Sequence, residues 1–326
     1  MWNGKRYHSF DFDCRERFGK KLYKLSLNAG FTCPNRDGTL GTRGCIFCSA
    51  GGSGDFAASS KLTITEQIGQ ARQLVAAKNP SGQYIAYFQA YTNTYAPLPV
   101  LERVFFEAAS HPDIAALSIA TRPDCLGREV LSLLKRLSEI KPVTVELGLQ
   151  TIHENSAAFV RRGYPLNVYE EAVWALDSAG IDIVTHLILG LPGETLPDML
   201  ATVHHVCTLP LSGLKLQLLY VLRGTDLATH FAAHPQAYPL MDFPTYLDAL
   251  LACLSIIPED IVIHRLTGDG KKQLLIAPLW SASKKFVLNS IEREMKCRNF
   301  LQGMHCKETP DRKKRIPYEN KLPDFA

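Results

Sequence analysis

The stretch Lys24–Phe56, KLSLNAGFTCPNRDGTLGTRGCIFCSAGGSGDF, constrains this chain more than any other. It starts as a short apolar strand over Lys24–Leu27. It then becomes a loop crowded with Gly, Asn, Asp and Pro, residues that turn a chain rather than extend a strand. Three of the nine cysteines lie in that loop: Cys33, Cys45 and Cys48. The last two form C-x2-C, a spacing that lets two thiolates reach one metal centre. Eleven turn-rich residues separate Cys33 from Cys45. A closed structural zinc site takes four ligands, and a 4Fe–4S cluster is commonly held by four cysteines. Three thiolates would leave one iron open to a substrate or cofactor. Spacing alone therefore leaves three readings: such an open cluster, a zinc site with a distant fourth ligand, or thiols that only pack.

The composition narrows the setting. The chain has 326 residues and is 46% hydrophobic, enough for one large domain or two smaller ones. No apolar run approaches the ~18 residues that a membrane span requires. The opening MWNGKRYHSF lacks the apolar segment of a signal peptide. A cytoplasmic protein is expected, with thiols kept reduced, and an odd number of cysteines argues the same way. The net charge of +4 is unevenly placed. Ser281 to Ala326 holds eleven Lys or Arg against six Asp or Glu, a net of +5, while the first 280 residues carry a net of −1. Clustered basic charge can attract a phosphate backbone. It also suits a plain solvated helix and tail.

Along the chain, residues 1–23 read as a polar and aromatic extension. Then strands and helices alternate. Strands are expected at Lys24–Leu27, Tyr84–Gln89, Ala116–Ala120, Val143–Leu149, Ile181–Leu189 and Leu214–Tyr220. Helices are expected at Thr65–Lys78, Pro99–Ser110, Glu129–Glu139, Val168–Ala179 and Leu196–Cys207, each with apolar residues at helical spacing. Six strands alternating with helices mean βαβ units and a parallel sheet. The strands end in polar or glycine-bearing loops, and in parallel α/β folds the site lies beyond those carboxyl ends. The fold class expected is α/β, a partial (β/α)6 barrel with a C-terminal α+β extension; an open doubly wound sheet is the competing architecture. The boundaries follow: an extension over 1–23, the barrel over 24–225 and the C-terminal extension over 226–326. In that last part Phe243–Ile257 and a basic Lys284–Gln302 read as helices. Asp260–Leu266 and Gln273–Ile276 read as a hairpin or edge strands, and DRKKRIPYENKLPDFA reads as a poorly ordered tail.

The ordered motifs KLYKLSLNAGFTCPNRDGTLGTRGCIFC, SIATRPDCL, VELGLQTIHENS, THLILGLPGET, LLYVLRGTDLA, HRLTGDGKK and APLWSASK span nearly the whole chain. With them the chain resembles the radical S-adenosylmethionine (SAM) enzymes, and within them the YhcC/YtqA-type branch. That branch is similar to the elongator catalytic-subunit and oxygen-independent coproporphyrinogen oxidase groups. The superfamily at large uses C-x3-C-x2-C; the longer first spacing here is a mark of the branch. Where the branch commonly reads Asn-Arg-Gly-His, this chain has Arg161-Arg162-Gly163-Tyr164.

The resemblance implies that Cys33, Cys45 and Cys48 ligate a 4Fe–4S cluster whose open iron binds SAM. SAM is then cleaved reductively and hydrogen is abstracted from a substrate. It also implies SAM contacts at Gln89 in the loop Gln89–Thr94, at Glu146 and Gln150, at Arg162 toward the methionine carboxylate, and at Gly190 toward adenine. An electron donor such as a flavodoxin or ferredoxin is implied too. Relatives in the branch are linked to tRNA wobble-uridine modification, so tRNA is the partner expected. A small tetrapyrrole-like substrate, or a non-catalytic zinc and RNA-binding adaptor, are the rival readings. Each site residue also has a bland reading: Glu146 and Gln150 as hydrogen-bonding barrel residues, Arg162 as a surface salt-bridge residue, Gly190 as a turn glycine.

Other signals carry less. Gly51-Gly52-Ser53-Gly54 and Gly268-Asp269-Gly270-Lys271 lack the Lys-Ser/Thr of a nucleotide P-loop. His204, His205 and Cys207 on one helix read as ordinary positions. Cys297, His305 and Cys306 make a weak second metal site for want of a fourth ligand.

Overall fold

The computed structural model describes residues 1–52, 54, 56–79, 82–238, 240–268 and 270–306. The basic tail lies outside them. In chain order the elements are α1 (Phe10–Phe18), β1 (Tyr23–Leu27), α2 (Ile64–Val75), β2 (Tyr84–Phe88), α3 (Leu98–Ser110), β3 (Ile114–Thr121), α4 (Arg128–Ser138), β4 (Val143–Gln150), α5 (Glu154–Phe159), α6 (Leu166–Ser178) and β5 (Asp182–Leu189). They continue with α7 (Leu196–Cys207), β6 (Gly213–Leu218), β7 (Val221–Leu222), α8 (Asp226–Ala233), α9 (Phe243–Ile256), β8 (Val262–Arg265), β9 (Leu275–Ala277) and α10 (Lys284–Cys297).

The sheet runs β1-β2-β3-β4-β5-β6-β8, parallel at every pairing. The six strands read from the sequence are all present in chain order, as a partial barrel requires. A seventh comes from the chain after residue 225: β8 pairs with β6 through Gly213↔Val262 and Leu214↔Ile263. The run Asp260–Leu266 is thus an edge strand, not half of a hairpin. Its expected mate, β9, pairs instead with β7.

Alternation along the strands explains both faces of the sheet. In β4, Val143, Val145, Leu147 and Leu149 are buried in the main apolar cluster. They face the helices with Leu25, Leu27, Phe88, Leu117, Ile119 and Ile183. The intervening residues line the concave face: Lys24, Tyr87, Ser118, Glu146, His186 and Lys215 meet there through side-chain hydrogen bonds. A closed eight-stranded barrel fills its interior with branched apolar layers. This one is polar inside and keeps room for a ligand.

Three differences from the sequence reading have local causes. Residues 1–23 contain a true helix, α1, capped by Ser9 at one end and by left-handed Gly19 at the other. It reaches the amino-terminal end of the barrel, where Arg17 pairs with Asp182 at 2.8 Å and Phe10 packs on His264 at 4.4 Å between ring centroids. The cap of α2 is Thr63 rather than Thr65, because Thr63 and Glu66 form a reciprocal capping box. The basic helix stops at Cys297.

Candidate active site

The cysteine loop folds back through its own backbone. The Pro34 carbonyl accepts from the N–H of Leu40 at 2.8 Å and of Gly41 at 3.3 Å. Gly44 N–H donates to the Asn35 carbonyl at 2.7 Å. These bonds close the eleven-residue excursion, so Cys33 returns beside Cys45. Cys48 follows within a tight turn, its N–H donating to the Cys45 carbonyl at 3.0 Å. Side chains tie the loop down. Asn35 Nδ2 donates to the Arg161 carbonyl at 2.7 Å and reaches Cys45 Sγ at 3.5 Å. Arg36 Nη2 donates to the carbonyls of Ser49 at 2.8 Å and Cys48 at 3.1 Å.

Cys33, Cys45 and Cys48 all line a cavity of about 180 Å³ at the carboxyl ends of the strands. All three are free thiols of intermediate exposure. Burial, then the neighbouring Cys48, pushes the Cys45 thiol up to about 12. A metal group must displace that proton on binding. Among the described residues no three His, Cys, Asp or Glu side chains gather closely enough to hold a single ion. Three thiols around one shared cavity suit a wider group, such as an iron–sulfur cube, and the donor set suits it too.

The same cavity is lined by Gln89, Glu146, Gln150 and Arg162, so four of the five SAM-contact candidates meet the three cysteines. Gln89 accepts from Ser26 Oγ at 3.2 Å. Gln150 ends β4 in the left-handed region, at φ 68°, beside a register shift against β5. Tyr91 and Arg161 share that strained region, at φ 60° and 59°. Non-glycine residues there are uncommon, and such strain collects at functional sites.

The other candidates sit differently. Arg162 is 2% exposed and no surface residue. It donates to the Thr151 carbonyl at 2.7 Å, the Tyr164 carbonyl at 2.8 Å and a Glu154 carboxylate oxygen at 2.7 Å. Those partners hold it in the wall. Gly190 is absent from the described residues lining the cavity. A Cβ on it would stand 2.9 Å from Met241 Cε, and its N–H points at Met199 Sδ at 3.4 Å.

Glu146 is the hub of the floor. Its carboxylate accepts from Lys24 Nζ at 2.5 Å, Ser118 Oγ at 2.7 Å, the Tyr87 hydroxyl at 3.0 Å, His186 and Lys215. Burial would raise its carboxyl, but Lys215, Lys24 and His186 more than offset that and hold it well below the usual carboxylate range. Burial, with Lys215 beside it, pushes the His186 imidazole down to about 4. The floor is thus an ionised carboxylate, a neutral histidine and two lysines. Sequence reading passed over His186, Lys215, Arg122 and Asn35. The first two hold inward positions of β5 and β6, so strand alternation could have found them. Arg122 lines the cavity at the end of β3, clamped to Asp124 at 2.9 and 2.7 Å and donating to the Arg162 carbonyl at 2.9 Å.

A family profile described as the Radical SAM superfamily matches residues 37–206, just over half of the chain. The chain belongs to the radical SAM superfamily. A Radical_SAM C-terminal domain profile matches residues 211–297. This radical SAM chain is 42% identical to YtqA of Bacillus subtilis over 92% of either protein. It is 34% identical to YhcC of Escherichia coli, covering 86% of this chain and 89% of that one. More distantly, it is 27% identical to a tRNA uridine(34) acetyltransferase of Dehalococcoides mccartyi over 59% of this chain and 41% of that protein. Among solved structures, the archaeal Elp3 of Methanocaldococcus infernus shares the fold with a TM-score of 0.66 at 15% identity, covering 86% of this chain and 64% of that longer one. As a radical SAM protein the chain is an enzyme that uses a 4Fe–4S cluster and SAM. No helix among the described residues is long and apolar enough to cross a membrane.

Proposed function

We propose that Cys33, Cys45 and Cys48 hold the cluster and that the enzyme modifies a wobble uridine of tRNA. The observation that carries the first part is the meeting of three loop thiols on one polar cavity at the carboxyl end of the barrel. Bound together, cluster and SAM supply hydrogen-atom abstraction driven by one electron. The chain's own residues position that chemistry. Asn35 and Arg36 fix the thiol loop. Gln89 and Gln150 offer amides to the polar groups of SAM. Arg162 and Arg122 hold the wall between the thiol loop and β4. Glu146 keeps its surrounding lysines and histidine in one arrangement, and so fixes the floor.

The substrate reading is supported by the match to a tRNA uridine(34) acetyltransferase and by the net charge of +5 over Ser281–Ala326. Residues 24–225 then form the cofactor-bearing unit, with 226–326 serving the substrate. The setting is the cytoplasm, and the electron comes from a small carrier such as a flavodoxin or ferredoxin. The test compares nucleoside profiles of tRNA from cells with and without the gene. A modified uridine missing from the deletion strain and restored by the wild-type gene supports the proposal. Identical profiles contradict the tRNA reading.

A further inference from the structure

Arg36 touches the chain beside each of the three loop cysteines. Its own N–H donates to the Cys33 carbonyl at 2.7 Å. Its guanidinium Nη2 donates to the Cys48 carbonyl at 3.1 Å and to the Ser49 carbonyl at 2.8 Å. The same group lies across Gly44, the residue before Cys45. A Cβ there would stand 2.8 Å from Nε, 3.0 Å from Cζ and 3.1 Å from Nη2. Gly44 sits at φ +76°, and its bare Cα is what leaves the guanidinium this seat. The Tyr91 ring centroid is 5.8 Å from Cζ, close enough to attract a cation. These contacts hold the side chain on the wall of the thiol cavity.

The bonding leaves its charge in place. Arg122 and Arg162, on the same wall, each donate to a carboxylate: Asp124 at 2.9 and 2.7 Å, and Glu154 at 2.7 Å. Among the described residues the Arg36 guanidinium hydrogen-bonds to neutral carbonyls. A guanidinium stays charged at any working pH. Burial pulls this one down, but Cys48, then Tyr91 and Cys33, raise it above its ordinary value, as close neighbours of a cation do. Its partial burial limits how far water screens the charge from the thiols.

We propose that Arg36, beyond tying down the loop, supplies a fixed positive charge that makes the cluster easier to reduce. The inference rests on the reading that Cys33, Cys45 and Cys48 hold the cluster. The step it acts on is a plain electron transfer. The small carrier gives up one electron, the cluster site gains it, and no bond or proton changes hands. The site then carries one more negative charge beside three thiolates. Net charge and hydrogen bonds near the sulfurs are among the levers that set an iron–sulfur potential. A cation held at the thiols stabilises the reduced side more than the oxidised side. Other donors could serve the two carbonyls, but no neutral side chain replaces the charge.

The test is a redox titration of the reconstituted full-length protein without SAM, followed by electron paramagnetic resonance of the reduced cluster. Iron content is measured alongside. The midpoint is read from the fraction that carries cluster, so partial loading does not blur it. Arg36→Gln keeps an amide donor but no charge. At the wild-type midpoint its ratio of reduced to oxidised cluster should be about tenfold lower, a shift of about 59 mV to more negative potential. Arg36→Lys keeps the charge without the planar fork, and should move by less than about half of that. Arg128→Gln, which removes an exposed charge from the outer helix α4, should keep the wild-type midpoint. If Arg36→Gln carries no cluster, Arg36→Met takes its place with the same expectation. Cluster kept by Arg36→Lys alone, at the wild-type midpoint, also supports the inference. A wild-type midpoint in a neutral variant overturns it and leaves the cluster assignment standing. So does an equal shift in the Lys and Gln variants, which assigns the effect to the hydrogen bonds. Cluster lost from the Gln, Met and Lys variants alike makes Arg36 a structural tie and overturns it too. A wild-type protein that takes up no cluster overturns both.

Discussion

His186 Nε2 lies 2.7 Å from a Glu146 carboxylate oxygen on the floor of the cavity. Burial and Lys215 lower the imidazole from an ordinary 6.5 to about 4. Between those values the unfolded chain takes up a proton that the native state refuses, so stability falls as pH drops through that window. Glu146 acts in the same direction. Its folded carboxyl lies well below its ordinary 4.5, so its contribution is present above that value and is lost below it. Urea midpoints should therefore fall steadily from pH 7 toward pH 4. His186→Asn should flatten the upper part of that fall. Equal midpoints at pH 7 and pH 5 in the wild type would contradict this account of the floor.

Arg162 acts through the Thr151 and Tyr164 carbonyls inside the wall and the exposed carboxylate of Glu154. Arg162→Lys keeps the charge but cannot reproduce the planar fork that serves Thr151, Tyr164 and Glu154 together. It should cost about 2–4 kcal/mol, because buried acceptors are left unpaired. Denaturant unfolding of the variant checks this. A stability within error of wild type, with only weaker SAM binding, would mean that the arginine serves as a ligand clamp instead.

Gly163 is the point where the chain leaves the arginine pair, at φ +81°. A Cβ there would stand 2.9 Å from Asn35 Oδ1 and 3.4 Å from Arg122 Nη2. Gly163→Ala should cost about 1–3 kcal/mol in strain and crowding. It should also displace Asn35 from Cys45, so less iron is retained on reconstitution. Iron analysis beside a thermal melt separates the two effects. An alanine variant with full iron and an unchanged melt would show that the loop does not lean on this glycine.

The sheet was legible because its strands carry their own signal. VTVELGLQ alternates apolar and polar positions, and the helices between strands show apolar residues at helical spacing. The thiol loop was legible because C-x2-C is a spacing with a chemical reason. The rest was hidden by tertiary context. The α1 sequence FDFDCRERF buries Asp13 and Cys14 and shows no apolar stripe, although Ser9 and Gly19 were readable as caps. The pairing of β7 with β9 joins residues more than fifty positions apart, and no local pattern encodes it. The sequence offers Arg162 as a contact of the methionine carboxylate or as a surface salt-bridge residue; its burial depends on Thr151, Tyr164 and Glu154 folding around it. Gly190 is readable as a contact toward adenine or as a turn glycine; its approach to Met241 and Met199 is tertiary and no local pattern encodes it.

The most direct measurement is 5′-deoxyadenosine released per chain by the reconstituted, reduced protein supplied with SAM, taken with its iron content. The account predicts release by the wild type, and loss of both release and most iron in Cys33→Ala, Cys45→Ala and Cys48→Ala. Three alanine variants that keep wild-type iron and still release 5′-deoxyadenosine would contradict it.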